Sequence, residues 1–143
     1  MLRFACLGLA LCLVACRPPA PQIDKEADPI ARQFFEEVRT GADIEADPHV
    51  ARELKNPTSE EQITEFRTLI PADPASQIET RSADAQVSST GTLTRLTQVY
   101  HYIDRTLLVQ TALFRAPSGE EPVIVGFKVS LDDGTGAPTN AGS

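Results

Sequence analysis

Between Asp28 and Leu131 the spacing of apolar residues changes once, and that change fixes the class of fold. From Ile30 to Ile70 apolar residues return every third or fourth position, the period of a helix. From Thr92 to Leu131 they alternate and are rich in Thr, Val, Tyr, Ile and Leu, the period and composition of strands. A chain that is helical first and sheet-like afterwards buries both apolar surfaces by laying the helices on one face of an antiparallel sheet. The expected architecture is α+β, with N-terminal helices on a curved antiparallel sheet of three to four strands. Residues 28–131 form this domain, and no internal repeat divides it.

Local signals place the helices. Asp28-Pro29 predicts an N-cap followed by Pro at the first helical position. Ile30, Phe34 and Val38, with Ala31 and Phe35 beside them, make one stripe. Arg32, Glu36 and Arg39 fall opposite, and Gly41 closes the helix. The same device at Asp47-Pro48 predicts a shorter helix carrying Val50 and Leu54. Ser59-Glu60-Glu61-Gln62 reads as the capping box of a third, with Ile63, Phe66 and Ile70 as its stripe and Pro71 as its stop.

Thr92–Ile103 and Thr106–Arg115 read as a hairpin around Asp104-Arg105, Val123–Leu131 as the last strand, and Thr80–Ser89 as a weaker one. A two- or four-residue loop around Asp104-Arg105 sets Tyr102 opposite Leu107, Tyr100 opposite Val109 and Leu96 opposite Leu113, all on the core face, whereas a three-residue loop would scramble this assignment. Val99, His101, Ile103 and Leu108 then point outward. In the last strand Val123, Val125, Phe127, Val129 and Leu131 share one face. Aliphatic side chains on an outer sheet face need cover. Two covers are expected: a homodimer or envelope-protein partner through that face, or the Pro71–Ala85 segment folded over it.

The N-terminus has a different texture. Met1-Leu2-Arg3 supplies a positive charge, and Phe4–Leu13 is apolar but too short to span a bilayer. The Leu13-Val14-Ala15-Cys16 that follows resembles the lipobox of bacterial lipoprotein precursors. The resemblance implies diacylglyceryl transfer to the Cys16 sulfur, cleavage before Cys16, and acylation (palmitate or a similar chain) of the new amino group. An ordinary secretory signal is the plainer alternative. Residues 1–15 would be removed, and 16–27 would be the lipidated Cys with a Pro-rich tether. Residues 132–143 read as a disordered tail. Cleavage discards Cys6 and Cys12 and leaves Cys16 lipidated, so the fold must stand without a disulfide. Arg17 stands where enterobacterial lipoproteins carry an Asp for inner-membrane retention, which points to the outer membrane, facing the periplasm.

The element order and texture carry a second resemblance. ARQFFEEV, the helix ending Leu69-Ile70-Pro71, and the strands TLLVQTALFR and PVIVGFKVSL resemble small envelope members of the nuclear-transport-factor-2-like superfamily of α+β cones. Cystatin-like folds share the helix-then-sheet plan. Cone domains often enclose an apolar pocket, and that resemblance makes Tyr100 and Tyr102 the candidate catalytic residues. A pocket tyrosine can donate to a developing oxyanion. His101 points to the opposite face and Asp104 sits at a turn, so these side chains do not converge.

His49 is expected exposed in a helix first turn, and with His101 far away no metal site is expected. Glu36-Glu37, Glu60-Glu61 and Glu120-Glu121 read as helix faces and a loop tip. No cofactor is expected. The balance of 13 Lys+Arg against 20 Asp+Glu, net −7, excludes an electrostatic footprint for nucleic acid. The expected role is a lipid-anchored, non-catalytic binding or scaffold domain; the alternative is an isomerase- or dehydratase-type enzyme.

Overall fold

The computed structural model describes residues 25–134. Cys16, the signal segment and most of the tether and tail lie outside them. Two helices, α1 (Ala27–Thr40) and α2 (Pro57–Leu69), precede four strands: β1 (Gln77–Ser88), β2 (Gly91–His101), β3 (Thr106–Arg115) and β4 (Val123–Leu131). The strands form an open, curved antiparallel sheet in the order β1-β2-β3-β4, and both helices pack on one face of it. The fold is α+β.

Helix α1 buries Ala27, Ala31, Phe34, Phe35 and Val38, so the stripe begins one turn earlier than the sequence suggested and Ile30 sits at its margin. Asp28 is not the N-cap. It lies in the first turn, where its carboxylate accepts from Arg32, Thr80 and Gln98 instead of capping the backbone. Gly41 ends the helix in the left-handed region at φ 77°, a conformation that costs a residue without Cβ little. Helix α2 also starts earlier than Ser59. Asn56 is its cap, accepting from the Ser59 N–H at 3.0 Å, with Pro57 at the first helical position. Ile63 is buried, Phe66 half-buried, and Pro71 follows the end. Arg67 donates to the Val38 carbonyl at 2.8 Å, joining the two helix ends.

No helix forms at Asp47-Pro48. The Asp47 side chain accepts from the His49 N–H at 2.8 Å and turns the chain there, and Val50 forms a parallel bridge to Ile124. Ile124 donates to the His49 carbonyl at 2.6 Å, and Ala51 donates to the Ile124 carbonyl at 2.9 Å. The segment is an extended patch on the edge of β4, flanked by single 3₁₀ turns at Ile44–Ala46 and Arg52–Leu54.

The β2–β3 hairpin closes with a four-residue loop, Tyr102–Arg105, held by Tyr102 N–H to the Arg105 carbonyl at 2.9 Å. Tyr100 therefore lies opposite Leu107, and Thr94 opposite Leu113. The register is two residues from the expected one. Because two is the side-chain period of a strand, the faces are unchanged: Leu96, Tyr100, Leu107, Val109 and Leu113 are core. The β1–β2 turn relies on Gly91, at φ 143°, where a Cβ would meet the Phe114 ring at 2.7 Å.

The last strand departs further. A bulge places Val125 as an extra residue between Gly126, opposite Ala112, and Ile124, opposite Leu113. Ile124 is fully buried, while Val125 and Leu131 are 37% and 46% exposed. The single apolar face expected from Val123 to Leu131 is thus broken, and only Phe127 and Val129 of that set join the core. Phe127 sits between the helices, 4.9 Å from the Phe34 ring and 6.1 Å from Phe66, edge-on to both.

On the outer face Val99 and Leu108 stand opposite one another and are buried. The bulged Arg81 of β1 reaches Asp132, just past β4, at 2.7 Å and ties the two edge strands together. Ile103 is not on this face; it is fully exposed in the hairpin loop. The Pro71–Ala85 segment does not fold over the sheet either. From Gln77 onward it is a strand of that sheet, and Ala75 packs on the helix side.

Candidate functional site

Tyr100 and Tyr102 project to the helix side of the sheet, as alternation requires. The Tyr100 ring lies 3.9 Å from that of Phe35, and its hydroxyl donates to Gln98 Oε1 at 3.4 Å. Gln98 Nε2 donates to Asp28 Oδ1 at 2.9 Å, and Arg32 holds the other carboxylate oxygen at 2.6 Å. Burial drives the Tyr100 hydroxyl pKa far above its ordinary value. Tyr102 is pushed up to about 12, again chiefly by burial, and its hydroxyl is buried without a hydrogen-bond partner among the described residues. For Asp28, burial works upward, but hydrogen bonds from Thr80, Arg32 and Gln98 prevail and hold the carboxyl below its usual range.

His101 leaves from the opposite face, 3.5 Å from Glu79 Oε1. Asp104 is exposed at the turn and pairs with Arg105 at 2.7 Å, which lowers its pKa. The structure therefore keeps the two tyrosines together and separates both from His101 and Asp104. Gln98 stands between Tyr100 and Asp28, so the hydroxyl faces an amide oxygen and not a proton acceptor of carboxylate strength.

A cluster with more chemical character lies at the other side of α1. Asp47 is buried, and His49 Nδ1 lies 3.3 Å from its Oδ1. The other ring nitrogen, Nε2, lies 3.2 Å from Glu121 Oε2 in the β3–β4 loop. Burial raises the Glu37 carboxyl pKa; Gln33 opposes this and the neighbouring Asp47 adds to it. Lys55 donates to the Asp47 carbonyl at 2.8 Å.

His49 and Glu121 line an open cleft of about 250 Å³ with Lys25, Glu26, Pro29 and Ile30. His49 is thus half-buried and doubly engaged, not exposed in a helix turn. Sequence reasoning missed this cluster because it draws on α1, the 47–50 turn and the β3–β4 loop; the one local signal is Asp47 two residues before His49. Among the described residues no group of three His, Cys, Asp or Glu is placed to hold a metal.

A third feature is a groove of about 350 Å³ on the outer sheet face, lined by Arg95, Thr97, Gln110, Ala112, Gly126 and Lys128 among others. Ala112 of β3 lies directly opposite Gly126 of the edge strand β4, and these small residues leave room for the groove. The chain matches no family model, no curated protein and no solved structure.

Proposed function

We propose that this chain is a lipid-anchored envelope protein, acylated at Cys16 and held at the outer membrane, whose folded unit is a non-catalytic binding or scaffold domain facing the periplasm. One observation carries the choice of a binding role over an isomerase- or dehydratase-type enzyme. The space between α1 and the sheet is filled by Phe34, Phe35, Tyr100, Leu107 and Val109, where a cone enzyme would hold its substrate. Membership of the cone superfamily is supported by the order of helices and strands. The contact surface in this reading is the outer-face groove, whose Arg95, Gln110 and Lys128, with Asp84 opposite Arg95, suit a polar segment of mixed charge from an envelope partner.

The test has two arms. A photo-crosslinking residue at Ala112, on the groove floor, should capture a discrete envelope partner, and one at Glu65 on exposed α2 should not. Titration with small apolar fluorescent ligands should show no saturable site. Saturable binding that Tyr100→Phe abolishes would favour the enzyme.

A further inference from the structure

The two edges of the sheet are finished differently. The β4 edge carries the Val125 bulge and is covered at Ile124 by the 49–51 segment, which pairs with it. The β1 edge runs for twelve residues, and among the described residues its outward side pairs with nothing. Proteins blunt such an edge with Pro, charged side chains, a bulge or a very short strand, and of these β1 has the bulge at Arg81 with Glu79, Arg81 and Asp84 as its charges. Gln77–Ser88 contains no Pro and no Lys, and its one irregularity is the bulge at Arg81.

We propose that this edge takes a second copy of the chain: two β1 strands pair antiparallel about a twofold axis at Ala83, joining the two sheets into one. The sequence of the strand sets this register. Arg81 and Ser82 share one place on the outer face, so the strand presents eleven positions to β2, and Ala83 is the middle one. Centred there, each residue meets one of the same face. Val87 lies opposite the partner's Ile78, Ala85 opposite the partner's Thr80, Gln86 opposite the partner's Glu79, and Asp84 opposite the partner's Arg81 and Ser82.

Every apolar residue at the ends gains an apolar neighbour, and Asp84 gains a cation. Val87, 77% exposed in the single chain, is otherwise unexplained. Sliding the axis by one position in either direction keeps the faces matched, because paired positions then shift by two, but it places like charges together. An axis at Asp84 sets two aspartates opposite each other; an axis at the bulge sets arginine on arginine and Asp84 on the partner's Glu79. The Ala83-centred register avoids both clashes and is the one that pairs all eleven positions.

The experiment is crosslinking of the full chain, extracted in mild detergent. Directly opposed residues of antiparallel strands have Cα atoms about 4.5–5.5 Å apart, within disulfide reach. Ala83→Cys should therefore give a disulfide-linked dimer under mild oxidation, with peptide mapping locating the 83–83 link and the unsubstituted chain correcting for the native cysteines. Ala85→Cys, which faces the partner's Thr80, should give little.

Val87→Asp in the Ala83→Cys background should cut the link at least tenfold without moving the thermal midpoint, since Val87 makes no core contact. In the otherwise unaltered chain it should halve the mass seen by sedimentation. Linking no greater at 83 than at 85 would overturn the proposal. So would a dimer linked only through Ala112→Cys on the outer face, or capture of a different polypeptide along β1.

Discussion

Gln98 Nε2 donates to Asp28 Oδ1 across 2.9 Å, joining the first turn of α1 to the middle of β2. Through Gln98 the tie continues to the buried Tyr100 hydroxyl at the centre of the sheet. Asp28→Ala leaves a fully buried Gln98 amide without its acceptor, and the expected cost is about 1–3 kcal/mol, read from urea unfolding midpoints. A change within error would mean that water replaces the carboxylate freely.

The same carboxyl contributes to the acid side of the stability curve. Its pKa is lowered in the folded state, so its contribution is present above the ordinary aspartate value and is lost as pH falls through the lower, folded value. Asp28→Asn should flatten the loss of stability below about pH 4, the ordinary aspartate range. An unchanged acid limb would assign that loss to other groups.

Glu37 acts with the opposite sign. Its raised pKa means the folded chain favours the protonated acid, so stability falls as pH rises from the ordinary glutamate value through the raised one. Glu37→Gln should remove that decline and be relatively more stable near neutrality than near pH 4. Parallel stability curves for the two proteins would contradict a Glu37 carboxyl raised by burial.

Phe34 is buried edge-on against Phe127. Phe34→Ala should cost about 3–5 kcal/mol. A thermal midpoint shift of only a degree or so would mean that the helix layer does not depend on this stripe.

Parts of this fold are legible in the sequence because they rest on local rules. The α1 stripe, the Gly41 stop and the faces of the β2–β3 hairpin follow from periods of 3.6 and 2, and the two-residue error in hairpin register leaves those faces intact. What was not legible depends on contacts between distant residues. Asp47-Pro48 has the form of a helix start, but backbone bonds from His49 and Ala51 to Ile124 hold it extended. Val123 to Leu131 alternates perfectly, yet the bulge at Val125 turns Ile124 inward in place of Val125. Asn56 outcompetes the Ser59 box because Pro57 favours a start one residue after it. At the sites, Tyr100 and Tyr102 were placed on the right face, whereas the Glu37, Asp47, His49 and Glu121 cluster assembles from three elements and has almost no local signature.

Tyr100→Phe separates the two functional readings. A hydroxyl that makes one 3.4 Å bond to Gln98 contributes little to stability, so the variant should fold with a midpoint close to that of the unsubstituted chain. In the binding reading, capture of the partner from the groove is unchanged. Loss of partner-independent activity in a folded Tyr100→Phe protein would support an enzyme.

The central claim is attachment through Cys16, and the mass of the mature chain tests it most directly. Intact mass spectrometry of the membrane-extracted protein should show a chain beginning at Cys16 and heavier by a diacylglyceryl group and an acyl chain, and Cys16→Ser should abolish that addition and release the protein to the soluble periplasmic fraction. A mature chain that carries no added mass at Cys16, or a Cys16→Ser protein retained in the membrane as before, would contradict it.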